Sequence, residues 1–239
     1  MARKALARSV DARGAPHFTP ELFRFLLELR YNNDRAWFQA NKARYEQYVK
    51  GPFLRFIADL APHLEALNPA YTANERSLFR IHRDTRFSHD KSPYKTHAAA
   101  QFRHLLASSD VHAPGFYLHL EPGQSGVGGG LWQPDPENLA RVRAAIDRQD
   151  FRWLEVKQAV PLSEEDKLKR PPKGFDPAHP LIEDLKLKSF IAWFPLSDEE
   201  VCSAAFMDRV LEALRRTDAL VSYLCEVLKL PTGAEPVKG

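Results

Sequence analysis

The sequence predicts an α+β fold, with N-terminal helices, a central, mainly antiparallel sheet, and a C-terminal strand followed by helices. Three observations predict it. Apolar residues recur at helical spacing from Leu22 to Leu64, they alternate with polar ones in "SLFRIH" and "GFYLHLEPG", and the apolar run "FIAWFPL" precedes a second long helical pattern. No internal repeat or clean linker interrupts the chain, so residues 18–230 are expected to form a single α+β domain. A flexible basic tail at 1–17 and a flexible C-terminal tail at 231–239 are expected to flank it.

Thr19 suits an N-cap and Pro20 a first helical turn, with Leu22, Phe25, Leu26 and Leu29 on one face, and Asn32 and Asn33 ending the helix. A second helix is expected over "DRAWFQANKARYEQYV", with Trp37, Phe38, Ala40, Tyr45 and Tyr48 as its apolar face. Gly51 and Pro52 then restart a third through Phe53, Phe56, Ile57, Leu60 and Leu64.

In "SLFRIH", Phe79 and Ile81 stand opposite Arg80 and His82, as in a half-buried strand. "THAAAQFRHL" is its expected returning partner, which leaves 84–95 as the connection. Further on, Phe116, Leu118 and Leu120 stand opposite Tyr117, His119 and Glu121, and "GVGGGLW" is a strand with three consecutive glycines. "DPENLARVRAAID" is a capped helix with acids at its N-terminal end, where the helix dipole favours them. "RPPKGFDPAHP" is a Pro-rich loop and "KSFIAWFPL" a buried strand. The remainder closes as one or two helices capped by Ser197 or Asp198.

With 239 residues, 44% of them apolar and 27% charged, the chain can fold around a substantial core. No apolar run approaches the ~18–20 residues that span a bilayer, so no membrane partner is expected. The first residues, "MARKALARSVDARGAPHF", lack the apolar stretch of a secretory signal. Cys202 and Cys225 have no Cys or His neighbours at metal spacing, and read as buried free thiols in a reducing cytoplasm. A formal charge of +3 is too small for nucleic-acid binding by sheer charge.

The placement of that charge says more than its size. Residues 80–97 carry five Lys/Arg against two Asp, and the other 29 bases and 29 acids cancel. The whole excess sits in one short stretch, "RIHRDTRFSHDKSPYKTH". Arginine forks suit bidentate binding of carboxylate or phosphate, and lysine adds a point charge. Arg80, Arg83, Arg86 and Lys95 are therefore candidate ligand-binding residues, and Asp84, Lys91 and Tyr94 candidate catalytic ones. Lys91 would stabilise charge, Asp84 would orient the arginines or act as a base, and Tyr94 would donate a proton or pack against the turn. Asp84 and Asp90 can equally orient cations or hold Mg²⁺ against a phosphate. His82, His89 and His97 do not form a recognised zinc spacing, so no metal site and no cofactor is assigned. Phe87 reads as an anchor for the loop.

This stretch resembles the signature of a widespread, mainly bacterial family classed as a domain of unknown function. The signature is Arg-x-x-Arg-Asp-x-Arg-Phe-x-x-Asp/Asn-Lys-x-x-Tyr, and it falls without departure on Arg80, Arg83, Asp84, Arg86, Phe87, Asp90, Lys91 and Tyr94. The likeness extends from Phe18 to about Leu228. It implies relatives, and no activity.

"EPGQSGVGGGLWQP" lacks the Gly-Lys-Ser/Thr of a phosphate loop. Its glycines instead mark a strand approached closely by another backbone or by a ligand. If that strand neighbours the arginine segment, Gly129 becomes part of an open floor and Trp132 a stacking wall; otherwise Trp132 is core. Three functions follow from these readings. The first is a basic pocket for a phosphorylated or carboxylated small molecule, in a binding protein or an enzyme. The second is a nucleic-acid-binding module using the same cations. The third is a structural or partner-docking protein in which the cluster is an internal salt-bridge lock.

Overall fold

The computed structural model describes residues 15–86, 88–107, 110, 112–149 and 151–230. Phe87 and most of the two expected tails lie outside the described residues. Helix α1 (Pro20–Tyr31) buries Leu22, Phe23, Phe25, Leu26 and Leu29, and closes with Asn32 N–H donating to Glu28 O. Asp34 caps α2 (Arg35–Ala40) by accepting from the Trp37 N–H at 2.9 Å. Helix α3 (Lys42–Tyr45) continues through one π turn, Glu46–Lys50, into α4 (Gly51–Leu67). The expected break at Gly51 and Pro52 is therefore absent, and helical backbone runs on through both. Gly51 N–H donates to Glu46 O, five residues back, while Pro52 has no N–H to leave unpaired. A Cβ on Gly51 would stand 2.7 Å from Glu46 O, which explains glycine here.

Beyond α4 the chain enters a five-stranded antiparallel sheet in the order β1 (Tyr71–Thr72), β2 (Ala98–His104), β3 (Gly115–Leu120), β4 (Ser125–Leu131) and β5 (Phe190–Leu196). Between β1 and β2, "SLFRIH" does lie antiparallel to the segment leading into β2, but not as a continuous strand. It is joined by the bridges Leu78↔Ala100 and His82↔Tyr94, whose registers differ by two residues. Phe79 lies against the ring of Tyr117, and Ile81 is buried.

Between β4 and β5 lie α5 (Pro136–Asp147), α6 (Phe151–Ala159) and α7 (Ile182–Leu185). Helix α6 went unpredicted because it buries only Trp153 and Val156, too few apolar residues to show a period. Ser197 and Glu200 form a capping box for α8 (Asp198–Val201), and α9 (Phe206–Val227) ends the described fold.

One sheet face is fully buried. Phe102, Phe116, Leu118, Leu120 and Val127 share a cluster with Phe18, Phe25, Phe53 and Phe56 from the helices and with α9. A second cluster gathers Leu131, Ile146, Trp153, Leu185 and Phe190 against Leu220, Tyr223 and Leu224 of α9. The opposite sheet face is only half-buried. It carries the polar side chains that build the site.

Candidate functional site

Strand alternation selects which residues share the half-buried face. β2 and β3 pair with Ala98 opposite Leu120 and Ala99 opposite His119. His97 and Glu121 follow one residue beyond the Ala98–Leu120 pair, and His97, His119 and Glu121 come together on one side. Each offers a ligand atom, and the three atoms lie within 4.8 Å of one another.

His119 and Glu121 are held by hydrogen bonds. His119 Nε2 is 3.0 Å from Glu121 Oε2, and the Tyr117 hydroxyl is 3.2 Å from His119 Nδ1. Arg30, at the end of α1, donates to the other Glu121 oxygen at 2.8 Å. The ring of His97 lies 4.5 Å from that of His119, centroid to centroid. Burial, then the neighbouring His119, pushes the His97 pKa down to about 4, so its imidazole is neutral at physiological pH. Burial and Glu121 push the Tyr117 phenol up to about 12, which keeps it protonated.

Next to this group stands the signature segment, folded as a tight excursion. Its two limbs are tied by Arg83 N–H to Pro93 O at 2.9 Å and Lys95 N–H to Ile81 O at 2.8 Å. Tyr94 is buried, stacked on Phe38 at 4.1 Å, and Asn33 bonds both its backbone N–H and its carbonyl. Asp90 takes Arg83 as a salt-bridge partner and accepts from the Ser92 N–H at 2.9 Å. The Ser92 contacts, followed by Arg83, hold the Asp90 carboxyl well below its usual range. Asp84 accepts from one edge of the Arg86 guanidinium, from Nη2 at 2.7 Å and Nε at 3.0 Å, which lowers its pKa to about 2. Lys91 Nζ donates to Thr85 O at 3.0 Å.

A family model described as "Conserved hypothetical protein (DUF2461)" matches residues 21–223. The chain belongs to this family. No curated protein matches it. The DUF2461 match runs from the first turn of α1 almost to the end of α9, so it contains the signature, Arg30 and the His–His–Glu group together.

Within this DUF2461 chain the predicted residues divide into three sets. Arg83, Tyr94 and Lys95 line a cleft of about 500 Å³ together with Arg30, Asn33 and His97, a size that suits a small ligand. Asp84, Arg86 and Lys91 bond within the loop at the cleft's edge, and Arg80 is exposed, close enough to act electrostatically on both Asp84 and Lys95. Gly129 and Trp132 are elsewhere. Gly129 is on the buried face, where a Cβ would meet Gly115 O at 2.4 Å and Thr217 of α9 at 3.1 Å. Trp132 stacks on His112 past the far end of β4, about 20 Å of strand away from Gly126.

Sequence reasoning missed Arg30 and Asn33, which come from α1 and the turn after it, and left His119 and Glu121 without a role. The signal for the last two was present. His119 and Glu121 alternate on one strand face, and pairing that strand with "THAAAQFRHL" brings His97 to them. Another hollow of about 470 Å³, lined by Arg141, Arg148, Arg152 and Glu226, touches no signature residue.

Among the described residues no helix is long and apolar enough to cross a membrane. Cys202 and Cys225 are free thiols, and Cys225 Sγ is 3.1 Å from the Tyr71 hydroxyl.

Proposed function

We propose that the cleft beside the His–His–Glu group binds a phosphorylated or carboxylated small molecule through Lys95, Arg83 and Arg30. Lys95 carries this reading. Its ammonium is half-buried and its pKa is lowered by burial and by Arg80, yet no carboxylate pairs with it among the described residues. It rests over the ring of Phe79 at 5.0 Å, a weaker partner than an anion. A buried, uncompensated cation costs stability, and an anion in the cleft removes that cost. Arg83 and Arg30 each hold one carboxylate and keep further N–H donors for a ligand. Ser92 and Thr96 add neutral polar groups to the wall.

Asp84, Arg86 and Lys91 are assigned to fixing the loop, since Arg86 binds Asp84 and Lys91 binds the Thr85 carbonyl. The lock reading thus accounts for the rim, and the anion reading for the cleft. A cytoplasmic location belongs to the same proposal, and the free thiols support it.

A second reading, binding of single-stranded nucleic acid, draws on a specific row of rings. Phe79, Tyr117 and Trp193 follow one another at 6.3 Å spacings across the half-buried face, with Lys95 and Arg103 over Phe79.

The test is thermal melting of wild type and Lys95→Met with inorganic phosphate, pyrophosphate, nucleotides, citrate and short RNA. An anion at about 100 times its dissociation constant stabilises wild type by roughly 2.7 kcal/mol. The Lys95→Met variant is expected to melt at or above wild type without ligand, and to lose the ligand-induced shift. The proposal fails if no anion shifts wild type, or if the variant responds equally. A response to RNA alone, with affinity falling steeply with salt, selects the nucleic-acid reading instead.

A further inference from the structure

We infer that His97, His119 and Glu121 form a binding site for one divalent first-row transition cation, of the Zn²⁺ or Fe²⁺ type, beside the cleft. The site goes beyond the anion reading and does not depend on it, since none of its three ligands is one of the cleft's cations.

The donor set comes first. Two imidazoles and one carboxylate suit borderline cations such as Zn²⁺, Fe²⁺ and Co²⁺; Mg²⁺ and Ca²⁺ prefer oxygen alone. Geometry comes second. A cation bonded at about 2.1 Å draws its donors to roughly 3.0–3.4 Å of one another. His119 Nε2 and Glu121 Oε2 are already 3.0 Å apart, and the full set lies within 4.8 Å, so completing it asks for a small inward movement of the His97 ring.

The surroundings carry the argument further. A ligating histidine needs its other nitrogen fixed, so that the lone pair points at the metal. Without metal, His119 Nε2–H faces the Glu121 carboxylate; when a cation displaces that proton, the Tyr117 hydroxyl at Nδ1 can accept an N–H there and hold the ring with its Nε2 lone pair toward the metal. Arg30 holds Glu121 Oε1, which leaves Oε2 on the side of the histidines. His119 is held in the ladder opposite Ala99, and His97 and Glu121 each lie one residue beyond the last ladder pair, Ala98 and Leu120. A chance gathering of surface histidines would lack the Tyr117 and Arg30 contacts that hold His119 and Glu121. His82 and His89, the other histidines of the signature segment, are not in the group.

Three protein ligands leave coordination positions open, and His97 itself lines the cleft. A bound cation would therefore face the space assigned to the anion, where it can accept an oxygen from water or from the ligand.

The experiment uses the untagged full-length chain, metal-free, in a buffer without phosphate or carboxylates. Zn²⁺ is titrated calorimetrically, and Co²⁺ by its visible absorption. Wild type is expected to take up one equivalent of either, with micromolar or tighter affinity. His97→Ala and Glu121→Gln should each weaken binding by at least about 100-fold, Tyr117→Phe by about 10-fold, and His89→Ala not at all. Melting of each metal-free variant reports whether it is folded. X-ray absorption of Zn²⁺ on wild type needs no variant, and should show two imidazoles, a nitrogen/oxygen shell and no sulfur. Absence of a stoichiometric site in wild type overturns the inference, as does sulfur in the shell, or a folded His97→Ala variant that binds as wild type does. Because no anion is present, failure here leaves the Lys95 test untouched, and the reverse also holds.

Discussion

Asp218 shows how a single side chain sets a measurable pH dependence. It sits on α9, accepts from the Asn68 amide at 2.7 Å, and its pKa is raised because burial disfavours the charged form. A raised folded-state pKa means that the folded protein holds the proton more tightly than the unfolded chain. The resulting stability is fully present below the ordinary aspartate value and is lost as pH rises through the raised one. At neutral pH the burial of this group is then a net cost, which Asp218→Asn removes while keeping an acceptor for Asn68. The variant is expected to melt above wild type at pH 7, with the difference shrinking to zero as pH falls toward 4. Paired melting curves across that range check it; a constant difference would trace the effect to packing. At the same scale, Asp84→Asn should leave the melting temperature of the free protein unchanged, because Asp84 and its partner Arg86 are both exposed at the rim. Such detail was only partly legible. The residue types of the signature announced a charged site, but Arg83 reaching the cleft while Arg86 folds back onto Asp84 depends on χ angles within one loop. Arg30 could not be found at all, since its approach to Glu121 depends on how α1 docks against the sheet.

At the scale of the element, β4 asks for glycine for different reasons at neighbouring positions. A Cβ on Gly128 would stand 2.0 Å from Ala192 O, a backbone atom of β5 that cannot rotate away. A Cβ on Gly126 would meet only the Trp193 ring, at 2.2 Å, and a side chain can move. Gly128→Ala is therefore expected to destabilise by about 3 kcal/mol or more, enough to part β4 from β5, whereas Gly126→Ala costs less and displaces Trp193. Denaturant melts rank the two, and a change in tryptophan emission marks the second. Equal losses would mean that the strand shifts as a unit. The close backbone approach expected from the three glycines is real here. The ligand floor expected at Gly129 is not, because period-2 alternation sends that residue to the face where Thr217 of α9 lies against it. The strands themselves were the most legible elements, since "GFYLHL" and "FIAWFPL" carry their burial pattern openly. Helix α6 and the π turn before Gly51 were hidden, one by too few apolar residues and the other because Gly-Pro reads as a break from sequence alone.

At the scale of the whole molecule the question is whether two hydrophobic clusters behave as one folding unit. The first holds α1, α4 and the buried sheet face; the second holds α5, α6 and the region around Trp153. Helix α9 enters both, giving Val210, Leu214 and Val221 to the first and Leu220, Tyr223 and Leu224 to the second, and Phe194 of β5 packs against each. Neither cluster can open without exposing a face of the same helix and pulling at the same strand, so cooperativity is built into shared elements and does not need a wide interface. Phe56→Ala in the first cluster and Trp153→Ala in the second should each cost about 3–5 kcal/mol, and both should lower one common transition. Differential scanning calorimetry decides this. A single endotherm that moves with either substitution makes residues 18–230 one cooperative unit. Two endotherms, each answering to one substitution, would place the second cluster in a separate unit. They would also mean that β5, and with it Trp193 on the site's face, belongs to whichever unit melts with it.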